Sequence, residues 1–162
     1  MLRIGVVSDS HGSFRNLERL RELCGRLDWL LHAGDFLCDA APIAETLGVD
    51  PERVRAVAGN CDFPVTRPGE VLEELEGVRL YLVHGHQLGV KTGLHRIHLR
   101  AQEVGARVAI FGHTHVPVLA DVGGVMLLNP GSLAKPRLGE PPSAAVLEVA
   151  GGELRAEQLF LG

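Results

Sequence analysis

No apolar run in this sequence reaches the roughly 18–20 residues that a membrane-crossing helix needs, so a helical membrane protein is excluded as a reading. The first strand-like stretch, Leu2–Val7, is too short for the apolar core of a signal peptide and leads straight into polar residues. The expected location is therefore the cytoplasm, with no membrane partner. Cysteine is scarce and odd in number: Cys24, Cys38 and Cys61, with no Cys-x-x-Cys spacing. That argues against both a disulfide framework and a structural zinc site. Lysine is nearly missing, with only Lys91 and Lys135, and no basic cluster exists along the chain. With a net charge of −4 and a pI near 6.0, no track for a nucleic-acid backbone is expected.

What remains is an ordinary globular composition. The 162 residues suit one domain, 1–162, and 46% hydrophobic against 22% charged residues can build a core without crosslinks. Local pattern alternates strand, polar loop and helix, and then turns to hairpins. Arg3–Val7, Trp29–Ala33, Arg53–Ala58, Val78–Val83 and Arg107–Phe111 read as strands, and each stops at a polar loop. Helices are expected over about 14–26, with Ser13 as N-cap, over a short segment from an Asp39 cap through Leu47, and on the face marked by Leu94, Ile97, Ala101 and Val104. Val71–Leu75 is a further strand before the Glu76-Gly77 turn. Gly123-Gly124 and Gly151-Gly152 suit hairpin turns, which need positive φ. The fold class is α/β, with mixed sheets and helices outside.

The strand ends carry the chemistry. Asp9, His11, Asp35, Asn60, His84, His113 and His115 each follow an apolar strand closely, and open α/β sheets bind ligands beyond the carboxyl ends of their strands. Four imidazoles, two carboxylates and an amide suit Mn, Ni, Co, Fe or Zn. Seven ligands exceed one tetrahedral site and fit two ions sharing a carboxylate, which together can activate a water and clamp a phosphoryl group. Each residue also has a plain reading. Asp9 and His11 can end a strand and cap a helix, Asp35 and Asn60 can be turn residues, and Asn129-Pro130-Gly131-Ser132 is turn chemistry first. His113 and His115, if the chain between them is extended, point to one side. His84 is preferred over His86 as a ligand because it follows its strand directly. His86 then supports a ligand or the phosphate, or only satisfies a backbone group. His32 reads as a buried, hydrogen-bonded residue, and Cys61 as a small core filler. His95 and His98 are expected on a helix with no role. Ser132 or Arg137 reaches the phosphate in one reading, Arg137 through a bidentate contact.

The ordered set Asp-x-His, Gly-Asp, Gly-Asn-x-Asp, His, Gly-His-x-His, spanning Asp9 to His115, resembles the calcineurin-like metallophosphoesterase superfamily, and within it the small phosphodiesterases of bacteria and archaea. That branch shares Gly-Asn-Cys-Asp, His-Gly-His, Gly-His-Thr-His and Asn-Pro-Gly-Ser, here 129–132. The resemblance implies two mixed β-sheets packed as a sandwich flanked by α-helices, an α/β/β/α arrangement. It implies two divalent ions, Mn foremost. One is held by Asp9, His11, Asp35 and His115, the other by Asp35, Asn60, His84 and His113. A hydroxide bridging the ions would attack phosphorus in line. Asp35, Asn60, Asp62 and His84 are the implied catalytic group, and Asn60, Cys61, His86 and Arg137 are the substrate-facing one. The resemblance also allows a homodimer or homotetramer.

Many superfamily members carry His where this chain has Cys61. There it protonates the leaving group or contacts the phosphate, and the residue at the place of Asp62 orients it. A thiol of ordinary pKa is a poorer acid near neutrality, so good leaving groups such as aryl oxides are expected to be favoured. A small phosphodiester is the expected substrate. A phosphomonoesterase is an alternative. Another is a protein-binding scaffold like the small subunit of the retromer coat, which resembles the same fold but is free to lose ligands.

Overall fold

The computed structural model describes residues 1–62 and 69–162. In chain order the elements are β1 (Leu2–Val7), α1 (Leu17–Cys24), β2 (Trp29–His32), α2 (Ala40–Leu47), β3 (Val54–Ala56), β4 (Glu70–Leu75), β5 (Val78–Val83), α3 (His95–Glu103), β6 (Val108–Ile110), β7 (Val118–Val122), β8 (Val125–Asn129), β9 (Ser143–Ala150) and β10 (Glu153–Phe160). Short 3-10 turns at Leu37–Asp39, Pro51–Arg53 and His86–Leu88 complete the list.

Strand alternation sorts side chains into layers. Ile4 and Val6 of β1 meet Val78, Leu80 and Leu82 of β5, Val108 and Ile110 of β6, and Leu147 and Val149 of β9 in the core between the sheets. The opposite face of β1 and β9, through Val7, Ala144 and Val146, packs on Leu17, Leu20 and Cys24 of α1 and on Ile43 and Leu47 of α2. On the far side Tyr81, Ala109, Phe111 and Leu127 pack on Ile97 and Ala101 of α3. The result is a sandwich of two five-stranded sheets with helices outside, ordered β10-β9-β1-β2-β3 and β4-β5-β6-β8-β7.

Both sheets are mixed. β1, β2 and β3 run parallel, with Val7 beside His32 and His32 beside Ala56. β5, β6 and β8 run parallel in the other sheet, with Leu82 beside Ile110 and Ile110 beside Leu128. The carboxyl ends of the two parallel trios meet at one rim, and the polar loops emerge there. Glu76-Gly77, Gly123-Gly124 and Gly151-Gly152 each close a hairpin with both φ angles between +50° and +82°, the mirror-image turn that matches strand twist.

Local expectations fail in three places. α1 is shorter than 14–26 and Ser13 does not cap it. Asn16 stands at the N-cap without a capping bond and instead donates through Nδ2 to the Leu133 carbonyl at 2.8 Å. Asp39 precedes α2 but does not cap it either; its carboxylate is engaged elsewhere, as described below. β3 is only Val54–Ala56, because Asp50 caps a 3-10 turn by accepting from the Glu52 N–H. Among the described residues no helix is long and apolar enough to cross a membrane.

Candidate metal centre

Five of the seven expected ligands sit at left-handed backbone angles: Asp9 (φ 52°), His11 (47°), Asp35 (57°), His113 (68°) and His115 (60°). Non-glycine residues adopt this region rarely, and it costs on the order of 1–3 kcal/mol at each. Such strain persists only where the surroundings over-determine it. It also corrects the expectation for His113 and His115. The chain between them is not extended, and the two imidazoles go to different clusters.

The first cluster is Asp9, His11, Asp35 and His115, whose ligand atoms all lie within 4.8 Å of one another. Asp9 is fully buried. Its Oδ2 accepts from the Ser8 hydroxyl at 2.6 Å and from the His113 N–H at 3.1 Å, while Oδ1 makes no hydrogen bond. Around Oδ1 stand His115 Nε2 at 3.1 Å, His11 Nε2 at 3.9 Å and His84 Nε2 at 4.0 Å. His115 donates from Nδ1 to the Lys135 carbonyl at 2.5 Å, so its Nε2 aims a lone pair at a carboxylate oxygen. His11 Nε2 is likewise buried without a partner. Opposed lone pairs in a buried space require a cation between them. The donor set therefore fits a divalent metal.

The second cluster is Asp35, His84 and His113, with Asn60 beside it. His84 is fully buried and donates from Nδ1 to the Ala33 carbonyl at 2.6 Å. Its Nε2 faces Asn60 Oδ1 at 3.0 Å and Asp35 Oδ1 at 3.4 Å. Asp35 joins the clusters, since its Oδ2 lies 3.9 Å from His11 Nε2. The two oxygens of one carboxylate thus face different imidazoles, Oδ1 that of His84 and Oδ2 that of His11. Burial opposes charge on Asp35, but hydrogen bonding and the charge of His84, with the Cys61 N–H at 2.9 Å, outweigh it and hold the carboxyl well below the usual range. Burial lowers the His84 pKa, yet Asp35 and Asp9 more than reverse this and raise it. Burial, followed by repulsion from His84 and Lys91, drives His113 down to about 4, which keeps it neutral and able to ligate. His11 is lowered by burial against the pull of Asp9 and Asp35.

A buried relay holds the first loop. The Gly34 N–H donates to His32 Nδ1 at 3.1 Å, so His32 carries its proton on Nε2 and donates it to Ser10 Oγ at 2.9 Å. The Ser10 hydroxyl then donates to Asp39 Oδ2 at 2.7 Å, which also accepts from the Gly12 N–H at 2.8 Å. Burial drives His32 down to about 4, as a neutral relay requires. Ser132 donates to the Asp9 carbonyl at 2.8 Å, and Asn129 donates to the Gly112 carbonyl and the Thr114 hydroxyl, both at 3.0 Å. Three glycines let the loops touch. A Cβ on Gly34 would lie 2.7 Å from His84 Nδ1, one on Gly59 would lie 2.5 Å from Asp35 N, and one on Gly112 would lie 2.6 Å from Asp9 Oδ2. Sequence reading assigned no role here to Ser8, Ser10, Asp39, Asn129 or these glycines; adjacency to the ligands was the available signal.

The remaining expected residues are placed as follows. Cys61 is exposed, not a core filler, because its turn offers the backbone N–H to Asp35 and leaves the side chain outside. Partial desolvation and the nearby Asp35 push its thiol pKa up. Asp62 accepts through Oδ2 from the Asp35 N–H at 2.9 Å and the Gly59 N–H at 2.8 Å, which makes it the clasp of the bridging loop. His86 stands beside the second cluster, its ring 5.4 Å from His84 and 6.0 Å from His113. The Arg137 side chain is exposed, and its backbone N–H donates to the His115 carbonyl at 3.2 Å. Ser132 is buried and spent on backbone groups, so it does not reach out toward a phosphate. His32 is buried and bonded as expected, and His98 bonds the Val122 carbonyl on the outer face.

Comparison with known proteins concerns the chain as a whole. A family model described as the calcineurin-like phosphoesterase superfamily domain matches residues 2–152. Phosphodiesterase YfcE of Escherichia coli (strain K12) is 34% identical over 170 residues, covering 91% of this chain and 88% of its own. The crystal structure of a conserved uncharacterised protein from Streptococcus pneumoniae TIGR4, itself a predicted phosphoesterase, superposes with a TM-score of 0.80 at 30% identity, over 98% of this chain and 89% of that one. Vps29 from Entamoeba histolytica complexed with Zn²⁺ superposes with a TM-score of 0.76 at 25% identity, over 99% and 100%.

Proposed function

We propose, for a chain that belongs to the calcineurin-like phosphoesterase superfamily, that it is a metal-dependent phosphodiesterase in which Asp35 bridges two divalent ions. One observation carries this reading: Asp35 belongs to both ligand clusters, its Oδ1 facing His84 and its Oδ2 facing His11. Asp9, His11, Asp35 and His115 hold the first ion, and Asp35, Asn60, His84 and His113 hold the second. Bound there, the pair supplies Lewis acidity toward the phosphoryl oxygens and lowers the pKa of water between them. Manganese is the first choice, with Ni, Co, Fe or Zn also matching imidazole and carboxylate donors.

The protein's own groups set up the rest. The Nδ1–H donors of His84 and His115 are committed to carbonyls, so their Nε2 lone pairs stay inward. Asp62 keeps Asp35 in its strained loop through the backbone. In this reading His86, Cys61 and Asn60, beside the second cluster, and the exposed Arg137, whose backbone N–H meets the His115 carbonyl, contact the phosphodiester. Hydrolysis adds a water oxygen to phosphorus opposite the leaving oxygen, which must be protonated or leave as a stable anion. The Cys61 thiol, with its pKa raised, is a weak acid for that task, so aryl oxides leave faster than alkoxides. Small diesters in the cytoplasm are the substrates of this reading, with the chain as a homodimer or homotetramer. The likeness to Vps29 favours a second reading, a protein-binding scaffold.

The test is hydrolysis of bis(p-nitrophenyl) phosphate by metal-stripped protein, with Mn, Ni, Co, Zn and Mg returned singly. Activity returns with at least one transition ion, and Asp35→Asn lowers it by about a thousandfold, the several kcal/mol that such ions contribute. Metal binding without turnover on any ester selects the scaffold.

A further inference from the structure

We propose that Phe36 is a stacking platform at the mouth of the first cluster, giving the site a preference for phosphodiesters that carry a flat aromatic ester group. The inference rests on the phosphodiesterase reading and adds a substrate class to it.

Phe36 directly follows the bridging Asp35 and adopts φ 64°. For a bulky side chain that backbone is strained. Most other non-glycine residues at such angles have an evident role. Asp9, His11, Asp35, His113 and His115 aim ligand atoms, and Glu76 forms a hairpin turn. Phe36 carries no ligand atom and belongs to no hairpin. Its strain aims a ring.

That ring lies 5.1 Å from the His11 ring at an angle of 52°, while the residue stays 37% exposed. One side is backed by a ligand histidine and another is open to solvent. His11 in turn lies 5.2 Å from the buried His115 ring, so Phe36 is the exposed end of a run of three rings that leads into the first cluster. Gly12 lies beneath, and even a Cβ there would only just reach the Phe36 ring, at 3.9 Å. The core of this protein has room for phenylalanine, since Phe111 is wholly buried. Keeping Phe36 at the rim instead leaves an aromatic face beside the ligand His11. Lys135 is exposed and its carbonyl holds His115, so a cationic side chain also starts from the edge of this cluster. Together they match an anionic phosphate bearing a flat substituent.

The experiment compares two diesters with one leaving group, p-nitrophenyl phenyl phosphate and p-nitrophenyl methyl phosphate, on Mn-loaded wild type, Phe36→Leu and Phe36→Trp. Leucine keeps apolar bulk without a π face. The phenyl-over-methyl ratio of kcat/KM is expected to fall by about two- to tenfold in Phe36→Leu, mainly through KM, and to survive in Phe36→Trp. A third diester, thymidine 5′-(p-nitrophenyl phosphate), distinguishes a nucleobase from a simple aryl group as the preferred partner. Calorimetric titration of phenylphosphonate against methylphosphonate reads the same preference without turnover, and Mn titration checks the metal site. An unchanged ratio in Phe36→Leu overturns the proposal. So does an equal loss on both esters with weakened Mn binding, which would make the ring a prop for His11. If wild type hydrolyses neither diester, the phosphodiesterase reading falls, and the phosphonate pair alone decides Phe36.

Discussion

Asp9 and His115 are buried and braced from behind by Ser8, Ser132 and the Lys135 carbonyl, whereas Asn60 stands exposed on a turn and His113 is half-buried. The first cluster has a relay at its back, His32–Ser10–Asp39, that reaches the Gly12 backbone beside His11. Besides the shared Asp35, the second cluster has one comparably fixed member, His84. A ligand set ordered during folding loses little freedom when an ion binds, and an open one must be ordered at that moment. In the two-ion reading proposed above, the first half retains its ion and the second exchanges it, with Asp35 common to both.

The comparison is broken most directly by removing one imidazole from each half. His115→Ala is expected to abolish the tighter step of a two-step Mn titration, and His113→Ala the weaker step; loss of the same step in both would erase the asymmetry. Asp39→Asn comes next. It replaces an acceptor of two hydrogen bonds with an amide, and is expected to weaken the first step by about 10–100-fold, the usual effect of outer support on a metal site, while the second step holds. The smallest effect is on pH. His32 titrates near 4 in the folded chain against 6.5 ordinarily. Between those values the unfolded chain binds a proton that the folded chain refuses, so stability rises with pH across that window. Denaturant titrations of metal-free His32→Gln at several pH values should show this slope reduced by about 1.4 kcal/mol per pH unit. An unchanged slope would place the proton uptake elsewhere.

Much of the fold was legible because its signals are local. Gly123-Gly124 and Gly151-Gly152 marked hairpins through the positive φ that glycine permits, and the strands before Ser8, Gly34 and His84 declared themselves by unbroken apolar runs. His32 was legible as a buried residue from its apolar neighbours. The misses have particular causes. Ser13 had the right chemistry for a cap, but its N–H closes a local turn on Ser10 and α1 begins only at Leu17; Asp39 had the right place, but its carboxylate accepts from Ser10 and Gly12 instead. Cys61 looked like a core filler, yet its backbone, not its side chain, is what the site uses. The extended link expected between His113 and His115 gave way to left-handed angles, which neighbouring residues of the sequence do not favour.

By itself, then, the sequence determined which residue types end the strands, where glycine allows a turn, and which faces are apolar, because each of these depends on residues a few positions apart. Only the tertiary structure decided that the two parallel trios meet at one rim, that His113 and His115 part company, and that Asp35 belongs to both clusters, facing His84 with one oxygen and His11 with the other. Those arrangements join loops up to about a hundred residues apart, as in the 3.1 Å bond from the His113 N–H to Asp9. They are enforced by sheet packing and by buried groups that find their partners only once the sandwich has closed.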